Sequence, residues 1–151
     1  MKNKKIIIAG GTGFIGQVIC NYFGADNEIV ILTRQSSGQK TNAFGKNTIS
    51  KELSKNIRYV KWDGITIDKW ADEINGAELV INLTGKTVNC RYNEKNKKEI
   101  FDSRINSVKI LGLVIQQAVH PPKLWINAAS ATIYPHATSA PRDEDFTAFA
   151  D

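Results

Sequence analysis

The sequence predicts a doubly wound α/β domain, a parallel sheet with helices on both faces. Three observations carry this expectation. Five short β-rich runs stand out, and several are nearly continuous apolar stretches without alternation, as in strands covered on both faces. Helical apolar periodicity fills most of the intervals between them. The first run leads straight into "GGTGFIG", so that Gly10, Gly13 and Gly16 stand between a strand and a helix. Right-handed crossovers then give the expected strand order 3-2-1-4-5.

The first strand is expected over Lys5–Ala9. Ile15, Val18, Ile19, Tyr22 and Phe23 mark one face of the helix that follows, with Gly24 placed to cap its end. The second strand spans Glu28–Thr33. Residues 35–56 are polar and mixed, and read as a loop with one helix. The third strand covers Ile57–Trp62. Ile67, Trp70, Ala71 and Ile74 mark another helix, stopped by Gly76. The fourth strand runs over Glu78–Leu83. A long helix follows over Asn93–Val119, with Phe101, Ile105, Val108, Gly112, Ile115 and Val119 down one side, and His120-Pro121-Pro122 must end it. The fifth strand is Lys123–Ala128. There is no internal repeat and no low-complexity tract.

Composition narrows the class. A chain of 151 residues suffices for one ordinary domain, and 42% hydrophobic with 23% charged residues is typical of a soluble globular protein. No apolar run reaches the length of a membrane span, and the apolar stretch at the N-terminus is too short for a signal peptide. A cytoplasmic protein without membrane partners is expected. Much of the net charge of +5 sits in "NEKNKKEIFDSR", where lysines alternate with acids as on a solvated helix face. Basic residues interleaved with exposed aromatics are missing, so no nucleic-acid partner is expected. Cys20 and Cys90 form no Cys-x-x-Cys pair, and Cys20 reads as a buried thiol. His120 and His136 lack metal-ligand spacing, so no metal site is expected.

The three glycines have the context that one chemistry demands. Early glycines let a chain turn tightly and bring backbone N–H groups against a pyrophosphate, while the last lets helix and strand pack closely. The helix N-terminus adds free N–H groups and the positive end of its dipole. A P-loop is excluded because no Gly-Lys-Ser/Thr follows. At the end of the second strand, where an NAD-preferring protein carries an acid for the ribose 2′-OH, stand Thr33 and Arg34. An arginine there pairs with a 2′-phosphate and stacks on adenine, with Ser36, Ser37 and Lys40 as further donors. The expected cofactor is NADP rather than NAD. The competing reading of Arg34 is a solvated side chain at a strand end.

Taken together, these residues resemble the short-chain dehydrogenase/reductase superfamily in its extended and atypical branches, which carry the Rossmann fold. "GGTGFIG" is similar to the extended members' glycine motif, "WDG" at 62–64 to the end of their third strand, and "NLTG" at 82–85 to their Asn-x-Ala-Gly. "NAASATIY" at 127–134 looks like Ser-Ser-Ala-x-Val-Tyr after the fifth strand. "VINLTGKTVNCRYNEKNKKEIFDSRI" is similar, more narrowly, to NAD-dependent epimerase/dehydratase-like proteins. The resemblance covers essentially the whole chain. It implies cofactor contacts at Gly10, Thr12, Gly13, Phe14, Ile15, Gly16, Thr33, Arg34, Leu83, Thr84, Gly85 and Arg104, with Asp63 approaching the adenine amino group. It places Ser130 at the position of a catalytic serine or threonine, an equally good alternative being a serine that satisfies the strand-end backbone. Tyr134 falls at a position that is usually structural. Arg91 and Tyr92 face either the substrate side of the cleft or solvent.

The superfamily's acid/base pair, a tyrosine with a lysine four residues on, is absent. Tyr22, Tyr59, Tyr92 and Tyr134 are followed at that distance by Asp26, Asp63, Asn96 and Thr138. The chain therefore reads as an N-terminal cofactor-binding domain over residues 1–151, truncated before the last strands and lacking a substrate-binding portion. Two functions share these features: the NADP(H)-binding part of an epimerase/dehydratase-like oxidoreductase with a small, nucleotide-sugar-like substrate, and an inactive NADP-sensing module. Self-association through the outer edge of the fifth strand or the long helix is expected, because an unpaired apolar edge invites pairing.

Overall fold

The computed structural model describes residues 1–34, 53–130, 134, 135 and 145. Its elements in chain order are β1 (Lys5–Ala9), α1 (Phe14–Phe23), β2 (Glu28–Thr33), a 3₁₀ turn (Leu53–Asn56), β3 (Ile57–Lys61), a 3₁₀ helix (Lys69–Ile74), β4 (Leu79–Asn82), α2 (Glu94–Gln117) and β5 (Leu124–Asn127). The five strands form one sheet in the order β3-β2-β1-β4-β5, and every pairing is parallel. This is the expected doubly wound architecture. Most of the expected loop at 35–56, with Ser36, Ser37 and Lys40, lies outside the described residues.

The strands are apolar throughout because alternate residues feed two separate cores. Ile7, Ala9, Val30, Leu32 and Val80 point to one face, where Trp62, Trp70, Ile74, Leu111 and Val114 cover them. Ile6, Ile8, Ile29, Ile31, Leu79 and Ile81 point to the other, against Cys20, Ile19 and Phe23. Register holds the rows together: Ile7 stands beside Val30 on one side and Val80 on the other. With both faces dry, a polar residue in mid-strand would have no partner, and the continuous apolar runs follow. Burial pushes the Cys20 thiol up to about 12, so it remains protonated at neutral pH.

Both long helices turn only part of their expected apolar face to the sheet: Ile19 and Phe23 of α1 and Ile115 of α2 pack on it, and most of the rest of each face is rotated away. On α1, Gly16, Gln17 and Cys20 are buried, Ile19 and Phe23 pack beside them, and Ile15, Val18 and Tyr22 are exposed. Small residues form the contact stripe because the helix lies almost on the sheet. A Cβ on Gly16 would come within 2.5 Å of the Gly11 Cα.

On α2, the buried stripe is Ser107, Leu111 and Val114, with Ala118 packed beside it. The expected stripe is displaced from it by one residue, about 100° around a helix. Phe101, Val108 and Val119 accordingly face outward. Gly112 still touches the sheet, its missing Cβ 3.3 Å from the Trp125 ring. The rotation puts the Ser107 hydroxyl against a buried amide, that of Asn82, which a leucine or valine at that point would leave unpartnered.

The segment before β4 is a 3₁₀ helix rather than an α-helix. The Asp68 side chain accepts a hydrogen bond from the Lys69 amide at one end, and Gly76 adopts φ +71° just beyond the other. Six residues leave no room for a regular α-helix packed in register, and Ile67 falls outside it, exposed. Among the described residues no strand pairs the outer side of β5, where Leu124 and Ile126 are exposed. No helix among them is long and apolar enough to cross a membrane.

The rotation of α2 is open to a direct test. Leu111→Ala is expected to lower the stability of the chain by about 2–5 kcal/mol, as for a fully buried leucine. Phe101→Ala, on the face that periodicity favoured, is expected to change it by less than about 0.5 kcal/mol. Urea denaturation of the two variants measures both; equal losses would refute the observed rotation.

Candidate functional site

The strand order reverses between β1 and its two neighbours, β2 and β4. In an open parallel sheet this opens a crevice at the carboxyl ends of the strands. The residues singled out from the sequence lie along that edge. Gly10 leaves β1 with φ +76°, a conformation that a side chain strains, and its amide donates to the Leu32 carbonyl at 3.1 Å. The Gly13 amide closes the turn onto the Gly10 carbonyl at 3.2 Å. The Gln17 side chain holds the loop from inside, donating to the Thr12 carbonyl at 3.1 Å.

The loop's glycines differ in what requires them. Gly16 is demanded by the fold, as its contact with Gly11 shows. Gly11, which the motif spacing passes over, is tightly enclosed: a Cβ there would meet the Ile8 and Ile31 side chains at 3.1 Å, and those side chains would have to shift to admit it. Gly13 is not. Its φ of −75° and ψ of 173° suit any residue, and the nearest atom to a Cβ would be the Gly10 carbonyl oxygen, an ordinary contact at 3.5 Å. A Cβ at Gly13 therefore has room among the described residues, on the side of the crevice. Gly13 is also the N-cap of α1, with no side-chain cap and no acidic residue in the first turn. The positive end of the helix dipole is thus left for an external anion.

The other wall is the end of β4. The Leu83 amide donates to the Ala9 carbonyl at 2.9 Å, and a Cβ on Gly10 would lie 3.1 Å from the Leu83 carbonyl carbon and 3.2 Å from the Thr84 nitrogen. The Thr84 hydroxyl oxygen is buried with no hydrogen-bond partner among the described residues, a donor whose desolvation nothing offsets. Asn82 organises this wall. Its side-chain oxygen accepts from the Thr84 amide at 3.1 Å, while its NH₂ donates to the Ser107 hydroxyl at 3.2 Å and the Asn127 side-chain oxygen at 3.0 Å. One amide therefore joins β4, α2 and β5. Sequence reasoning did not single out Asn82, Ser107 or Asn127, although an asparagine ending a buried apolar run was the available signal.

Farther along, the Arg104 guanidinium lies against Gly85, where a Cβ would be 3.1 Å from its central carbon. Lys86 is pinned between Asn96, at 2.8 Å, and Glu99, and its ammonium holds the Glu99 carboxyl below its ordinary range. At the opposite end of the edge, Thr33 is buried and Arg34 is exposed just past β2. Arg34 makes no ion pair among the described residues. Asp63 stands after β3, its carboxylate accepting from the amides of Ile65 and Thr66, both at 2.8 Å, and from the Thr66 hydroxyl at 2.7 Å. Those hydrogen bonds, the Thr66 amide foremost, hold its pKa below the usual carboxylate range.

Ser130 lies exposed three residues past β5, on the strand whose continuation is tied back by the Ala128 amide donating to the Asn82 carbonyl at 2.9 Å. Tyr134 is half-buried, and residues 131–133 between them lie outside the described set. Arg91 and Tyr92 are both exposed on the approach to α2. The glycine loop, residues 83–85 and Arg104 thus meet at one place, with Thr33, Arg34 and Asp63 on the β2–β3 side and Ser130 on the β5 side.

A family model described as the NAD dependent epimerase/dehydratase family matches residues 6–150. The chain belongs to that family. Among curated relatives, epimerase family protein YfhF of Bacillus subtilis is 33% identical over 150 residues, covering 93% of this chain and 45% of YfhF. Among solved structures, the human epimerase family protein SDR39U1, determined with NADPH, superposes with a TM-score of 0.71 at 25% identity, over 93% of this chain and 41% of the human one. A UDP-N-acetylglucosamine 4-epimerase from Methanobrevibacter ruminantium shares the fold, with a TM-score of 0.74 at 22% identity over 96% of this chain and 44% of that one. The chain spans less than half the length of each of these relatives.

An epimerase/dehydratase-family nucleotide-binding domain accounts for the crevice: an uncapped helix end for phosphate oxygens, a glycine with room for backbone approach and an orphaned hydroxyl. The contrast between two glycines tests it. Gly13→Val is expected to leave the thermal unfolding midpoint within a few degrees of the parent while abolishing measurable dinucleotide binding. Gly16→Val is expected to unfold the chain, because its branched side chain meets the Gly11 backbone. Circular dichroism melts paired with calorimetric titration separate the two effects. A folded Gly13→Val variant with parental affinity would refute the site.

Proposed function

We propose that the chain is the NADP(H)-binding domain of an epimerase/dehydratase-like oxidoreductase whose substrate is small and nucleotide-sugar-like. The observation that carries this reading is Gly13: the fold leaves room for a Cβ there, and the uncapped helix end behind it favours an anion. In this reading the pyrophosphate lies on the amides of the glycine loop, with Gly10, Thr12, Gly13, Phe14, Ile15 and Gly16 forming its floor. Leu83, Thr84 and Gly85 flank the ribose beyond, and the Thr84 hydroxyl finds its partner there. The adenine end lies over Thr33, Arg34 and Asp63. The cofactor, when bound, supplies hydride acceptance or donation; the chain binds and orients it, and Ser130 hydrogen-bonds the substrate oxygen that is oxidised or reduced. Further substrate contacts and the acid/base group belong to the remainder of a longer protein, in line with relatives more than twice this length.

NADP is favoured over NAD by Arg34, an exposed cation at the end of β2 with no carboxylate paired to it among the described residues. The structure of the human relative with NADPH supports the same choice. A second reading, an NADP-sensing module without chemistry, is favoured by one observation: no tyrosine in the chain has a lysine four residues on. Self-association through the open edge of β5, with Leu124 and Ile126 exposed, accompanies either reading.

Arg34→Ala is expected to weaken NADP binding about ten- to a hundredfold and leave NAD binding nearly unchanged, the worth of one charge-assisted contact. Calorimetric titration with both nucleotides checks it. Equal affinity of the parent for NAD and NADP would reduce Arg34 to a solvated side chain. For the open edge, sedimentation at several concentrations is expected to show concentration-dependent association. Replacing Ile126 with lysine is expected to shift the chain towards monomer, and a parent that stays monomeric throughout would remove this part of the proposal.

A further inference from the structure

The C-terminal edge of the sheet holds one cation that the cofactor reading does not need. Arg104 sits on α2 with its guanidinium flat against Gly85, where a Cβ would lie 3.1 Å from its central carbon and 3.3 Å from Nη2. Its Nη1 donates to two backbone carbonyls, Ile100 at 3.0 Å and Lys86 at 3.2 Å. The peptide on which it rests is itself held. The Lys86 amide donates to the Ser103 hydroxyl at 2.9 Å, and the Lys86 ammonium is fixed by Asn96 and Glu99. Arg104 is therefore preorganised by one turn of α2 and one glycine, rather than waving in solvent.

Arg104 also has no anion among the described residues, and neither has Lys109 farther along the helix. Glu94 pairs with Lys97, Asp102 with Lys98, and Glu99 with Lys86 and Lys95. The nearby carboxylates are thus all taken by lysines, while the guanidinium uses one nitrogen for carbonyl contacts and keeps its Nε and Nη2 edge without a partner in that set. That edge is the planar two-donor fork that matches a carboxylate or phosphate. Strand order decides whose oxyanion it is. Arg34 lies past β2 and the helix end past β1, whereas Arg104 stands over the loop after β4, on the side of β5 and Ser130. A dinucleotide laid from Arg34 across the glycine loop has its phosphates behind it when it reaches this point.

We propose that Arg104 receives an oxyanion of the substrate, a phosphate or carboxylate group, beside the reacting end of the cofactor. The assignment rests on the cofactor reading above and names the side chain of this chain that meets the substrate's anionic group. It moves Arg104 from the cofactor-contacting set, to which the family resemblance assigns it, to the substrate side.

The test uses the 151-residue chain saturated with NADP, with inorganic phosphate as probe and the ¹⁵N-labelled Arg104 Nε–H resonance as readout. Phosphate is expected to shift that resonance saturably. Arg104→Gln is expected to abolish the saturable phosphate binding seen by calorimetry and to leave NADP affinity within about twofold. Arg104→Lys, which keeps the charge without the fork, is expected to weaken phosphate about tenfold. An unmoved resonance would overturn the proposal, and so would loss of NADP affinity by tenfold or more in the folded Arg104→Gln variant, which would return Arg104 to the cofactor. Should neither NADP nor NAD bind the parent, the cofactor reading fails on its own; the same phosphate titration without nucleotide then reads Arg104 separately, and no saturable shift there overturns the oxyanion site as well.

Discussion

The contact of Gly16 with Gly11 sets the height of α1 above the sheet, and much of the molecule follows from it. No side chain separates the helix from the strand end at that point. The helix axis therefore comes close enough for Cys20 to be fully buried by β-strand side chains, and its bulkier Ile15, Val18 and Tyr22 are left outside. The same closeness aims the first turn of α1 at the crevice beyond β1. A helix held one side chain farther away would still cover the sheet, but its N-terminal amides would point past the loop rather than along it. Packing thus depends on one pair of glycines, while Gly13, free of that demand, borders the crevice.

Asn82 performs the corresponding task on the other wall. A buried side-chain amide is expensive without partners, and this one finds three, on β4, α2 and β5. Meeting them turns α2 so that Ser107 points inward, which in turn brings Arg104, three residues earlier, over Gly85. The rotation of the helix and the location of the cation are consequences of satisfying one amide.

The two ends of the sheet treat charge differently. At the amino end of the strands, Arg58 lies between Glu28 and Glu73, Glu78 between Lys4 and Lys123, and Lys2 meets Asp26. Arg58 holds Glu73 and Lys123 holds Glu78 below the ordinary glutamate range. These are exposed pairs, worth little individually. At the carboxyl end Arg34 and Arg104 stand without carboxylate partners among the described residues, beside an uncapped helix.

The sequence by itself determined the fold class, the strand order and the place of the glycine loop between β1 and α1. These depend on short-range patterns: apolar runs of strand length, a glycine motif between strand and helix, and crossovers whose hand is general. It also located nearly every strand to within a residue. What it did not determine was which stripe of each long helix is buried, because periodicity reports that a helix is amphipathic while the contact stripe depends on what it meets. On α1 the close approach at Gly16 and Gly11 buries Gln17 and Cys20 and leaves Ile15, Val18 and Tyr22 outside; on α2 a serine meets a distant asparagine. The different duties of Gly13 and Gly16, alike in the motif, and the lack of an anion for Arg104 among lysine-paired acids depend likewise on neighbours far apart in the chain. Only the tertiary structure brings those neighbours together, and so only it decides them.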